Sequence, residues 1–83
     1  MDTQIMEKLQ LAQMIVDILE RTTGRDKRFI YSCVEQLLSI RNDLDRKLKE
    51  AKGDAFMNEY VHMASMIDKC NHTISKYAYA EEL

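Results

Sequence analysis

Basic and hydroxyl side chains follow one another around Gly24, in the order Thr23, Gly24, Arg25, Lys27, Arg28. Backbone N–H groups at the start of a helix, with a hydroxyl and arginines beside them, favour anions. The favoured interpretation is a solvated basic turn. The alternative is a binding site for a small anionic ligand such as a nucleotide.

A Glu-x-x-His motif is formed by Glu59 and His62, whose side chains share one face of a helix. Di-iron carboxylate bundles use such motifs, but they need two of them and two further glutamates. Since this chain contains one, the sequence predicts neither a metal site nor a cofactor, and His62 is interpreted as the flank of a packed face.

Two cysteines, Cys33 and Cys70, are predicted to lie at similar heights on opposing helices. A disulfide would require their Cα atoms to lie within about 7 Å. Two reduced core thiols are the favoured interpretation for a cytosolic protein. No serine or cysteine has a base and an orienting acid at a recognisable spacing, so the sequence predicts no enzyme.

An apolar seam runs through the last third of the chain. Its members are Phe56, Tyr60, Met63, Ile67, Cys70, Ile74 and Tyr77, at steps that alternate between four and three. This a/d repeat is typical of coiled-coil packing and predicts a helix over about 55–80 that packs along its whole length.

A second long helix is predicted over about 25–51, with Thr23 as its N-cap and Asp26 as the capping-box acid. Its apolar stripe comprises Ile30, Cys33, Val34, Leu37, Ile40, Leu44, Leu48 and Ala51. Acid-before-base pairs, Asp43 with Lys47 and Asp45 with Lys49, are predicted to support its exposed side.

The short turn Lys52-Gly53-Asp54 joins these helices into an antiparallel αα-hairpin. With a shorter N-terminal helix over about 3–21, the sequence predicts one all-α, three-helix domain over residues 1–83. At the open end of the hairpin, the start of the second helix lies beside the end of the third helix, and basic and tyrosine side chains from both are brought together. The predicted anion site then comprises Thr23, Arg25, Lys27, Arg28, Tyr31, His72, Lys76 and Tyr77.

The first helix has two apolar stripes. One contains Ile5, Leu9, Ala12, Val16 and Leu19, and the other contains Leu11, Met14, Ile15 and Ile18. A small bundle needs one apolar face per helix, so the second stripe predicts an interface with further copies of the chain or with a partner protein. In the alternative, the first helix lies in the hairpin groove and both stripes are hidden.

Composition supports assembly and excludes some partners. A chain of 83 residues with two cysteines builds a modest core, and small domains of this kind often gain stability by oligomerisation. A formal net charge of −2 argues against generic nucleic-acid binding. The N-terminus lacks a basic region before its short, amphipathic apolar run, so we expect no membrane span and a cytoplasmic protein.

The segment from Leu44 to Tyr77 resembles the small helical-hairpin co-chaperones of type III secretion needle subunits. The shared features are a charged first arm, the Gly53-Asp54 turn, Tyr60 soon after it, and an apolar second arm. The resemblance implies a role in holding an aggregation-prone secreted subunit together with a second chaperone.

The function predicted from the residues is that of a non-enzymatic, self-associating helical interaction module, a small adaptor or inhibitor that binds a partner protein. Capture of an anionic ligand by an oligomer and the secretion co-chaperone role are the alternatives.

Overall fold

Three helices make up the described part of the chain, which covers residues 3–21, 26–50 and 57–77 of a computed structural model. They are α1 (Thr3–Arg21), α2 (Lys27–Glu50) and α3 (Met57–Tyr77). The predicted all-α fold, a long helical hairpin with a shorter N-terminal helix, is confirmed.

Helix α2 begins two residues later than predicted, and Asp26 is its N-cap. The Asp26 carboxylate accepts a hydrogen bond from the backbone N–H of Arg28 at 3.0 Å, and its carbonyl accepts from Phe29 and Ile30. A short acidic side chain here satisfies N–H groups that have no partner within the helix. The predicted cap Thr23 and the turn residues 52–54 lie outside the described residues, as do Gly24, Ala51 and Phe56.

The helices run up, down and up. Lys69 of α3 donates to Gln13 of α1, and Lys76 donates to Glu20, and both pairs are 56 positions apart. A constant separation means that α1 and α3 run parallel. Arg41 of α2 donates a hydrogen bond to the side chain of Asn71 of α3 at 3.1 Å. Because α2 and α3 form an antiparallel hairpin, α1 is also antiparallel to α2.

One apolar core lies between the three helices. The buried apolar residues are Ile5, Ala12, Ile15, Val16, Leu19, Cys33, Val34, Leu37, Ile40, Leu44, Met63 and Cys70. The stripe predicted for α2 is confirmed, with Ile30 and Leu48 partly buried at its margins. The first stripe of α1 also faces the core, with Leu9 partly buried.

The seam predicted for α3 is correct from Met63 to Tyr77 and wrong at Tyr60. Met63 and Cys70 are fully buried, whereas Tyr60 is 47% exposed. Residues of α1 and α3 that lie at the same height are 56 positions apart. Tyr60 is therefore level with Gln4, near the end of the bundle where α1 begins. Thr73, which the seam omits, is 1% exposed because α3 packs against two helices and its buried arc is wider than an a/d seam.

An ion pair between helices replaces one pair that we predicted within α2. Asp45 and Lys49 pair as predicted, at 3.1 Å. Asp43, however, binds Lys8 of α1 at 2.9 Å and Arg46 at 2.7 Å rather than Lys47. Lys8 and Asp43 are both partly buried, so this pair connects α1 to α2 beside the core.

The Asp43 contact predicts a loss of stability in acid. The hydrogen bond from Lys8, aided by the charges of Lys8, Arg46 and Lys47, lowers the pKa of Asp43 below its ordinary value of 3.8, against a smaller effect of desolvation. The folded chain therefore favours the carboxylate, and this stabilisation is present above the ordinary pKa and is lost as the pH falls through the lowered one.

Asp43→Asn is expected to lower the melting temperature at neutral pH, and its difference from the wild type is expected to shrink as the pH falls below 3.8. Asp68→Asn, which removes an exposed carboxylate from α3, is the control. Thermal melts followed by circular dichroism test this. A gap between wild type and Asp43→Asn that stays constant with pH would rule out the ion pair as its cause.

Candidate functional site

An apolar stripe on the outside of α1 is the main candidate for a functional surface. Leu11 is 45% exposed, Met14 56% and Ile18 37%. Their spacing of three and four residues places them on one face of the helix, and we call these three residues the α1 stripe. Large apolar side chains that share an exposed face mark interaction surfaces more often than isolated ones do.

Ile15 was predicted to belong to this surface, but the structure places it in the core, where it is 5% exposed. The reason is the position of α1 against both arms of the hairpin. Ile15 lies three residues after Ala12 and four before Leu19, which are fully buried, so it shares their face. Packing of α1 in the groove thus hides Ile15 and leaves the α1 stripe exposed.

Polar contacts hold α1 at three levels. Lys8 binds Asp43 near its start, Gln13 accepts from Lys69 at 2.9 Å in its middle, and Glu20 pairs with Lys76 at 3.5 Å near its end. Together with the buried face, these contacts fix the rotation of α1 about its own axis. The α1 stripe is therefore presented by an element that is already packed.

The predicted anion site is assembled only in part. Because α2 and α3 are antiparallel, the start of α2 and the end of α3 lie at one end of the bundle. There Lys27, Arg28, Tyr31, His72 and Lys76 are exposed and Tyr77 is partly buried, whereas Thr23 and Arg25 lie outside the described residues.

An acidic side chain also lies at this end. Glu20 pairs with Lys76, and its charge is the largest cause that raises the pKa of Lys76, ahead of the contribution from Tyr77. The Lys76 ammonium also lies 5.3 Å from the centre of the Tyr77 ring. An anion bound beside Lys76 would therefore meet the Glu20 carboxylate, which repels it. This favours the α1 stripe over the basic end as the functional surface.

Both thiols are free and buried. Burial raises the pKa of Cys33 above its ordinary value. Burial raises the pKa of Cys70 as well, against the smaller opposing effects of Arg41 and Lys69. Both cysteines therefore remain protonated at neutral pH, which makes them poor nucleophiles.

The Glu59 and His62 motif and the surface of α2 offer no stronger site. Among the described residues, no group of three or more histidine, cysteine, aspartate or glutamate side chains could hold a metal ion. A shallow depression on α2 is lined by Asn42, Asp45, Arg46, Lys49 and Glu50. Its lining contains charges of both signs, and Asp45 there pairs with Lys49.

Sequence reasoning did not single out Leu38, which is 37% exposed on α2, or Met6, which is 43% exposed on α1. Leu38 directly follows the buried Leu37 and lies outside the stripe predicted for α2. An apolar residue outside the core-facing stripe was the signal in the sequence that could have identified it as exposed. Leu38 lies seven residues after Tyr31, on the same face of α2, and Met6 lies away from the α1 stripe.

Comparison with known proteins identifies no relative. The chain matches no family model, and neither a curated protein nor a solved structure matches it significantly. The resemblance of residues 44–77 to secretion co-chaperones therefore stays a prediction. Within the described residues, no helix is both long and apolar enough to cross a membrane.

Proposed function

We propose that this chain is a non-enzymatic helical interaction module that associates with further copies of itself through the α1 stripe. The observation that carries the proposal is the exposure of Leu11, Met14 and Ile18 on one face of a helix whose opposite face is packed into the core. In this proposal the assembled copies act by binding a partner protein, as a small adaptor or inhibitor does.

The free energy available from the α1 stripe supports weak association. Full burial of a leucine, isoleucine or methionine side chain contributes about 1.5–3 kcal/mol. Since each member is roughly half exposed, the stripe contributes about 2–4 kcal/mol per copy, and both copies contribute in a symmetric pair. Association must offset lost translational and rotational freedom, so we expect weak association, with a dissociation constant well above the micromolar range.

A cytoplasmic location is part of the proposal. Cys33 and Cys70 are free and occupy core positions on α2 and α3. Reducing compartments keep such thiols free, whereas oxidising ones favour disulfides in small domains.

Sedimentation equilibrium over a range of protein concentrations tests the proposal. The wild-type chain is expected to show a mass above that of one copy, and Met14→Asp is expected to reduce it to one copy. An aspartate in the middle of the stripe would place an unpaired charge in the interface, which opposes association.

Met6→Asp is the matched control, because Met6 is an exposed methionine of the same helix and lies outside the stripe. It should keep the wild-type mass. A wild-type chain that sediments as one copy at every concentration would overturn the proposed function, as would equal effects of Met14→Asp and Met6→Asp.

A further inference from the structure

Two charged residues extend the α1 stripe at its ends. Glu7 lies four residues before Leu11, and Arg21 lies three residues after Ile18, so the series 7, 11, 14, 18, 21 keeps the alternating steps of four and three. All five positions therefore share one face of α1. Glu7 and Arg21 are exposed, and they lie at equal distances in sequence from Met14.

The other charges at the two ends of α1 bind within the chain. Lys8 is engaged by Asp43 on α2, and Glu20 is engaged by Lys76 on α3. Glu7 and Arg21 are exposed, and their spacing along α1 places them on the face of the stripe. The face thus has an acid at one end, a base at the other and apolar side chains between them.

This arrangement selects one orientation for a second copy. In a two-fold symmetric pair, a residue that contacts a second position is itself contacted by that position in the other chain. An antiparallel pair centred on Met14 brings Glu7 opposite the partner's Arg21 and places Leu11 within one residue of the level of the partner's Ile18. A parallel pair would bring glutamate against glutamate and arginine against arginine, which is unfavourable.

We propose that the occupant of the α1 stripe is a second copy of this chain, packed antiparallel with its two-fold axis at Met14. Each Glu7 then pairs with the partner's Arg21. This inference rests on the self-association proposed above and adds its geometry. The apolar residues supply most of the affinity, and the two charge pairs set orientation and register.

Charge reversal tests the pairing. In the antiparallel dimer, Glu7→Arg places two arginine pairs in the interface, and Arg21→Glu places two glutamate pairs there. Each single variant is expected to raise the dissociation constant about tenfold. The double variant Glu7→Arg/Arg21→Glu restores both opposite-charge pairs and is expected to return the dissociation constant to near the wild-type value.

The double variant is also the strictest control, since it has the same composition and net charge as the wild type. Both reversals place charges that oppose the helix dipole at the ends of α1, so any general harm to the helix would be larger in the double variant than in either single one. Glu35→Arg, at an exposed position on α2, controls for a change in net charge and should leave the dissociation constant unchanged.

Sedimentation equilibrium separates the two proposals. A wild-type chain that stays a single copy overturns self-association and the pairing with it. A wild-type dimer that Met14→Asp dissociates, but whose dissociation constant neither Glu7→Arg nor Arg21→Glu changes, overturns the antiparallel pairing alone. A double variant weaker than both single variants also overturns the pairing.

Discussion

Replacing Leu37 with alanine is expected to lower the free energy of unfolding by about 2–5 kcal/mol. Leu37 is fully buried on α2, in the core that α2 shares with α1 and α3. The truncation removes apolar surface from the core and leaves a cavity that rigidly packed neighbours fill incompletely. Because a whole domain has a stability of about 5–15 kcal/mol, this variant should be partly unfolded at moderate temperature.

Leu38→Ala is the control for this prediction. Leu38 is the next residue of the same helix but is 37% exposed, so its truncation is expected to lower the free energy of unfolding by less than about 1.5 kcal/mol. Urea unfolding followed by circular dichroism measures both, at one protein concentration because association adds to apparent stability. Equal losses of unfolding free energy in the two variants would contradict the rotation of α2 that buries Leu37 and exposes Leu38.

Ile15→Asp is expected to unfold the chain. Ile15 is 5% exposed and belongs to the core formed by α1 with both arms of the hairpin. An unpaired carboxylate at this position must either lose its hydration or take up a proton, which costs several kcal/mol. Circular dichroism of the variant should show a large loss of helix at ambient temperature.

Met14→Asp, at the adjacent residue, should in contrast keep the helical spectrum and lose only association, because Met14 is 56% exposed. The comparison between the two variants decides whether Ile15 belongs to the core or to the interface between copies. An Ile15→Asp chain that stays folded but no longer associates would place Ile15 in that interface, as the pattern of residues alone suggested.

The helices and most of the core could be predicted from the sequence because both depend on local spacing. The period of the apolar residues identifies all three helices and selects the faces that contain Ala12, Leu37 and Cys70. The pairing of Asp45 with Lys49 was equally predictable, since both residues belong to one helix and lie one turn apart.

Other features depended on how far the neighbouring helices cover each surface. Two apolar stripes on α1 were visible in the sequence, but only packing against both arms put Ile15 inside and left Leu11, Met14 and Ile18 outside. The same widening of the buried arc on α3 took in Thr73, while Tyr60, near the end of the bundle, stayed exposed.

Contacts between helices also required the tertiary structure. Asp43 could have paired with Lys47 one turn away, yet it binds Lys8 of α1, and Lys76 of the predicted anion site binds Glu20. These partners are set by the relative height and rotation of separate helices. The sequence by itself therefore determined which residues share a face, through the period of each helix. Only the packed bundle decided how much of each face is covered and which charges meet.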